Sequence, residues 1–158
     1  MSVIQSIVRF FGRVCLSLIF IASAIYILLN WQSVEQALIG ALCDWLGVAM
    51  GVEWAQKICE WSLSWSFLLL VAAVFCQLIG GLLVLFGLSI RLGAFLLLLF
   101  MVPSTILFHH FWTFQGVEKE LHLGLFLKNL SIIGGLLVLL VYDKAPKPPK
   151  ASKRAPES

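Results

Sequence analysis

Four long apolar runs, separated by short polar segments, dominate the pattern of this chain. They cover Val14–Leu29, Ser66–Leu88, Leu92–Phe111 and about Leu121–Tyr142. With its flanks the first run has about 18 residues and a helical length of roughly 27 Å, close to a hydrocarbon core of about 30 Å. The pattern predicts an all-α fold: an integral membrane four-helix bundle with spans at about 12–29, 66–88, 92–111 and 121–142.

Composition supports this fold class. Hydrophobic residues make up 61% of the chain and charged residues 12%, against about 45–50% and about 25% in soluble domains. A soluble globule is therefore excluded. The net charge of +3 does not indicate nucleic-acid binding, because the basic residues are spread thinly among apolar runs. We expect the lipid bilayer, and no nucleic acid, as a partner.

The start of the chain allows one alternative. Arg9 and Arg13 precede an apolar run that contains Ala22-Ser23-Ala24, a pattern that also resembles a cleavable signal peptide. The run continues well beyond that candidate cleavage site, which favours a spanning helix.

Charged and aromatic residues predict the orientation. Most basic residues would share one side of the membrane: Arg9, Arg13, Arg91, Lys144, Lys147, Lys150, Lys153 and Arg154. The tryptophans would lie on the other side: Trp31, Trp45, Trp54, Trp61, Trp65 and Trp112. The positive-inside rule and the interfacial preference of indole place both termini in the cytoplasm. We expect a multi-pass protein of a prokaryotic plasma (inner) membrane, with a transmembrane domain at 1–142 and a disordered basic tail at 143–158.

The only long connection, residues 30–65, has helical periodicity. Its first half repeats apolar residues at Val34, Ala37, Leu38, Ala41, Leu42 and Trp45. Ser33 and Gln36 fit a capping box, so an amphipathic helix on the outer surface is predicted. A second short amphipathic helix is predicted at 52–62. These helices would either cover the outer mouth of the bundle or serve as a connector seated on the membrane surface.

The four cysteines do not indicate thiol catalysis, because no Cys-x-x-Cys pair is present. Cys15 and Cys76 lie within spans and are interpreted as packing residues. Cys43 and Cys59 share the outer connection and could form a disulfide in an oxidising compartment. No other catalytic constellation is present, and no catalytic residue is predicted.

The second and fourth spans contain the same string, IGGLLVL, at 79–85 and 133–139. The repetition is compatible with two parallel helical hairpins. Glycines allow helix backbones to approach closely in lipid, so both glycine pairs are expected in the bundle interior. Pro103 removes a backbone donor and is expected to kink the third span, with Ser104 and Thr105 available to satisfy freed groups.

Polar residues in the spans collect at one depth. Counted from the cytoplasmic edge at about 1.5 Å per residue, Gln77 lies roughly 16 Å up, and Tyr26, Ser104, Thr105, Lys128 and Asn129 lie roughly 20 Å up, in the outer half of the bilayer. His110 lies at the outer edge. The candidate ligand-binding residues are Tyr26, Gln77, Ser104, Thr105, His110, Lys128 and Asn129. No Asp or Glu occurs within the spans, so a pocket with hydrogen-bond donors for a carbonyl or an anion is predicted.

Several of the charged and polar candidates also allow an interpretation in which they bind no ligand. The Lys128 stem could extend toward the interface instead of a ligand. Gln77 could make an interhelical hydrogen bond. His109 and His110 diverge by about 100° on a helix, and although His122 could join one of them, no metal site is predicted.

Three strings carry a resemblance to a known family: QLIGGLLVLFGLSIRLGAFLL from Gln77, HHFW from His109 and FLKNLSIIGGLL from Phe126. In order and spacing they resemble the DoxX family of small four-helix membrane proteins, over Gly12–Tyr142. The family commonly has Glu where this chain has Gln77, and a basic residue where it has Ile25 and Tyr26.

The resemblance implies a membrane subunit associated with quinone-linked redox complexes. Quinone is the implied cofactor, a redox protein subunit is the implied partner, and Gln77, Lys128 or Asn129 would donate to the quinone carbonyls. No haem or iron–sulfur ligation pattern is present, so the role would be docking or anchoring. The alternative is a non-catalytic scaffold or carrier for a lipid-like molecule or a membrane protein.

Overall fold

The computed structural model describes residues 3–50 and 53–142, with side chains except those of 45–50, 53–63 and 142. These residues form helices and no strand. The helices are α1 (Val3–Leu29), α2 (Trp31–Met50), α3 (Glu53–Phe86), α4 (Ile90–Phe108) and α5 (Gly116–Tyr142), with a short 3-10 turn at Phe111–Thr113 before α5. Four stretches are long and apolar enough to cross a membrane: Val3–Leu29, Ser64–Phe86, Ile90–Thr113 and Gly116–Val141. The predicted four-span helical fold is confirmed; the predicted tail at 143–158 lies outside the described residues.

Two boundaries differ from the sequence prediction. Helix α1 begins at Val3, well before residue 12, and α3 runs without a break from Glu53. The predicted second amphipathic helix is therefore the first part of α3. The polar residues there do not interrupt a helix, because helix continuity depends on backbone geometry and not on polarity.

The joint between α1 and α2 is a single residue, Asn30. Its backbone nitrogen and its side-chain Nδ2 both donate to Tyr26 O, at 3.0 and 3.1 Å. The backbone carbonyl of Asn30 accepts from Val34 N at 3.0 Å. Helix α2 thus begins directly after Asn30. The prediction that Ser33 caps this helix is wrong, because Ser33 lies inside its first turn.

The spanning helices pack in the order α1, α3, α4 and α5, and α2 packs mainly on α3. The closest approach joins α3 and α4 at two glycines. A Cβ atom at Gly80 would lie 3.0 Å from Gly93 O, and one at Gly93 would lie 2.8 Å from Gly80 O. In lipid, such backbone proximity provides the packing that the hydrophobic effect provides in water.

The glycine pairs of α3 and α5 pack differently. Gly80 and Gly81 are buried, as predicted. Gly134 is exposed with nothing near its missing side chain, and a Cβ at Gly135 would lie 3.7 Å from Leu16. The expectation that both pairs lie in the interior is wrong for Gly134, because α5 packs on one neighbouring helix at the edge of the bundle.

The apolar core has two parts. One contains Phe20, Val84, Ala94, Leu97, Met101 and Leu136. The other contains Ile27, Leu38, Leu70 and Val74, and Leu107 and Phe108 pack against it. The second part marks what we call the α2 end of the bundle, where α2 meets the ends of α1 and α4. Since α1 and α5 make few direct contacts among the described residues, a space remains between them toward this end.

Candidate functional site

A cavity of about 720 Å³ occupies the space at the α2 end of the bundle. All five helices contribute to it. Its walls are mostly apolar, with Phe20, Ile27, Leu70 and Phe100 among them. The polar and titratable residues on its lining are Ser23, Tyr26, Cys76, Ser104, His109, Lys128 and Asn129. This composition suits a ligand that is largely apolar with a small polar group.

Helix α2 forms one wall of the cavity. Val34, Leu38 and Leu42 recur every four residues, so they share one face of the helix, and all three line the cavity. Leu38 is buried in the same cluster as Leu70 and Val74. The apolar face predicted from the sequence therefore contributes to the cavity wall.

Four of the seven candidate ligand-binding residues meet at this cavity: Tyr26, Ser104, Lys128 and Asn129. Tyr26 and Lys128 are exposed, so they lie at the rim, whereas Asn129 is buried. The Ser104 hydroxyl donates to Met101 O at 3.1 Å, which leaves its oxygen free to accept. The rim and the wall thus both offer hydrogen-bonding groups to a ligand.

The other three candidates do not line the cavity. Gln77 is fully buried, and neither atom of its amide has a hydrogen-bond partner among the described residues. Thr105 donates its hydroxyl to Met101 O at 2.7 Å. His110 places Nδ1 at 2.9 Å from Leu107 O. The side chain of each is buried and lies in a helix contact or against the backbone of its own segment.

Three lining residues were missed as ligand-binding candidates: Ser23, Cys76 and His109. Ser23 lies three residues before Tyr26, so helical spacing could have placed both on one face. Cys76 adjoins Gln77, and the rotation of α3 turns the cysteine toward the cavity. His109 lines the cavity, whereas the predicted residue His110 does not.

A cluster of aromatic rings lies at the connection between α4 and α5. The rings of Phe114 and His122 are stacked, with centroids 4.1 Å apart and planes at 3°. The rings of His109 and His122 have centroids 5.9 Å apart. The Nδ1 atoms of both histidines are buried without a hydrogen-bond partner in the described part of the chain. No group of three or more potential metal ligands occurs among the described residues.

The cysteines divide into two kinds. Cys43, on α2, is disulfide-bonded, whereas Cys15 and Cys76 are free thiols. The predicted partner, Cys59, has its side chain outside the described residues.

The fold and the cavity define a helical membrane protein with four spans and a mainly apolar cavity at one end. The DoxX family model matches residues 8–110, and the chain belongs to the DoxX family. The match ends before α5, which carries Lys128 and Asn129. Neither a curated protein nor a solved structure matches the chain.

Proposed function

We propose that this protein binds a lipid-like amphiphile in its cavity on behalf of a redox partner, with a quinone as the first ligand class. The observation that carries the proposal is the position of the cavity within the spans. Tyr26, Leu69 and Leu99 line the cavity, and each is also exposed on a spanning helix. An amphiphile dissolved in the bilayer could therefore reach the cavity without crossing water.

The size and polarity of the cavity support an amphiphile. A volume of about 720 Å³ falls within the usual range of roughly 300–1,000 Å³ for small-molecule sites. Quinone carbonyls accept hydrogen bonds, and Tyr26, Lys128 and Asn129 carry the donors that they need. The apolar walls would hold the start of an isoprenoid tail.

The redox part of the proposal rests on the family. The sequence shows no haem or iron–sulfur ligation pattern, so electrons would pass between the quinone and a partner protein. The chain itself would position the quinone headgroup.

The orientation is also part of the proposal. The disulfide of Cys43 favours an oxidising compartment for the α2 end, because such bonds persist outside the cytosol. The basic residues at the opposite end agree with this orientation through the positive-inside rule. Both termini would then be cytoplasmic, in a prokaryotic plasma membrane.

Quantifying quinone in the purified protein tests the proposal. The full chain is purified from its native membrane, extracted with organic solvent and assayed for quinone per protein. We expect a ratio near one, with a clear loss in Asn129→Leu. Ser131→Leu is the matched control, because Ser131 is exposed two residues further along α5. Quinone at the bulk lipid ratio in all three proteins would refute quinone binding.

A second candidate function is a scaffold for another membrane protein. Its support is the surface of α5, whose most apolar segment is only 11% buried, against 33% for α3. Gly134 also leaves open space on this helix. Crosslinking in native membranes from a photoreactive residue at position 134 would capture a partner if this function holds. An equally strong capture from position 95, where Phe95 is exposed on α4, would count against it.

A further inference from the structure

We infer that the cavity selects an amphiphile with an acidic headgroup, a carboxylate or a phosphate, which Lys128, His109 and His122 bind. This inference rests on the amphiphile part of the proposed function and assigns an acidic headgroup in place of the quinone.

Lys128 is the one formally charged residue on the described lining, and no described lining residue is Asp or Glu. His109 also lines the cavity. Of the described carboxylates, Glu35 accepts a hydrogen bond from Ser66, and Asp44, Glu118 and Glu120 are exposed away from the lining. Lys128 has no ion-pair partner among the described residues. A lysine within a span is costly without a counter-charge, and an acidic headgroup supplies one.

The histidine pair gives a second, independent observation. Nδ1 of His109 and Nδ1 of His122 are buried and unpartnered, whereas Nδ1 of the neighbouring His110 meets a backbone carbonyl. A buried ring nitrogen without a partner is unfavourable. His122 does not itself line the cavity, but its ring lies beside that of His109, with centroids 5.9 Å apart. Both imidazoles could therefore donate to one oxyanion bound at His109, since an oxyanion has lone pairs for several donors.

The aromatic cluster fixes this arrangement. Phe114 stacks on His122 at 4.1 Å, which holds the imidazole plane in place before a ligand arrives. Donors that are already oriented bind an anion more tightly than donors that must first be ordered. The same pair of histidines does not provide the three or more ligands of an ordinary protein metal site, and the nearby lysine repels a cation.

The remaining lining has the chemistry of an acyl or isoprenoid binding surface. Phe20, Leu38 and Leu70 are buried side chains on three different helices, and all face the cavity. A chain that continues from the headgroup would contact these apolar walls. The headgroup and the tail are thus recognised by different parts of one site.

Binding of matched probes to the full chain in nanodiscs tests the inference. The probes are a long-chain fatty acid, its methyl ester, an alkyl phosphate of the same length, a short-tailed quinone and inorganic phosphate. We expect the acid or the alkyl phosphate to bind at least about tenfold more tightly than the ester. Competition by inorganic phosphate would show that the headgroup is recognised without a tail.

Variants assign the preference to residues. Lys128→Met should abolish the preference for acid over ester, and Lys128→Arg should restore it. Lys119→Met is the matched control, since Lys119 is an exposed lysine on α5 that does not line the cavity. His122→Phe keeps a ring against Phe114 and should reduce acid binding several-fold. Thermal unfolding of each variant checks that the fold is retained.

The outcomes separate the two proposals. Equal binding of acid, ester and quinone, unchanged in Lys128→Met, overturns the acidic headgroup and leaves amphiphile binding intact. Binding of none of the tailed probes overturns both, and binding of inorganic phosphate alone does the same.

Discussion

Ser66 Oγ donates a hydrogen bond of 2.9 Å to Glu35 Oε1. Ser66 is buried near the start of the spanning part of α3, and Glu35 lies in the second turn of α2. The bond therefore fastens α2 to α3. A carboxylate acceptor makes it stronger than a bond between neutral groups.

Replacing Ser66 with alanine should loosen α2. A hydrogen bond to a charged group contributes about 1.5–3 kcal/mol in soluble proteins and less on average in membranes, so we expect a loss of about 1–2 kcal/mol. Faster backbone hydrogen exchange in residues 31–44 of α2 would report the loosening of this helix. Ser64→Ala is the control, since Ser64 is exposed; equal exchange in both variants would show that the bond does not hold α2.

Gly93→Ala should destabilise the bundle. Its Cβ would lie 2.8 Å from both Gly80 O and Val84 Cγ2, so α3 and α4 would have to separate. Overpacking of this kind costs about 1–3 kcal/mol. Unfolding in mixed micelles measures the loss.

The control for that experiment is Gly134→Ala. Nothing lies within 4 Å of the missing side chain at Gly134, and alanine favours a helix over glycine by about 1 kcal/mol. The free energy of unfolding of this variant should be unchanged or slightly higher. Equal destabilisation by both substitutions would contradict the close approach of α3 and α4.

Gly87→Ala and Gly116→Ala should destabilise the protein by similar amounts. Both glycines have positive φ, 69° and 59°, so both variants share a strain of about 1–2 kcal/mol. At Gly87 the new methyl group would also meet the Arg13 guanidinium, but that group ends a flexible side chain and can move aside; at Gly116 the methyl group meets nothing. Unfolding in mixed micelles measures both losses. A clearly larger loss at Gly87 that disappears in an Arg13→Ala background would show that Arg13 is held in place over this turn.

Alkylation of the denatured protein should distinguish the cysteines. The chain has 4 cysteines, of which Cys15 and Cys76 are free and Cys43 is disulfide-bonded. If Cys59 is the partner, intact mass should show two adducts without a reductant and four after reduction. Three adducts without a reductant would mean that Cys43 pairs with another molecule.

The sequence was sufficient to predict the four spanning helices and the amphipathic helix α2. Long apolar runs have no alternative in a bilayer, because each backbone polar group must be satisfied within its own segment or in a closed barrel. Helical rise also predicts a common depth for Tyr26, Ser104, Lys128 and Asn129. These four residues line one cavity.

The direction of each side chain did not follow from the sequence. Gln77 and Cys76 differ in depth by one residue, yet the cysteine lines the cavity and the glutamine is buried. The rotation of α3 follows its packing against α1, α2 and α4, and a hydropathy pattern does not contain those contacts. The first glycine of the IGGLLVL string is buried in α3, as Gly80, but exposed in α5, as Gly134, because packing neighbours, and not local sequence, determine which face is covered.

The exposed residues of the spanning helices at the rim of the cavity have a consequence for its occupancy. A ligand that enters laterally from the hydrocarbon layer diffuses in two dimensions and never has to partition into buffer. Occupancy of the cavity should then follow the mole fraction of the ligand among the lipids. Dilution of the vesicles in buffer would leave the cavity occupied, whereas fusion of the vesicles with ligand-free lipid would empty it.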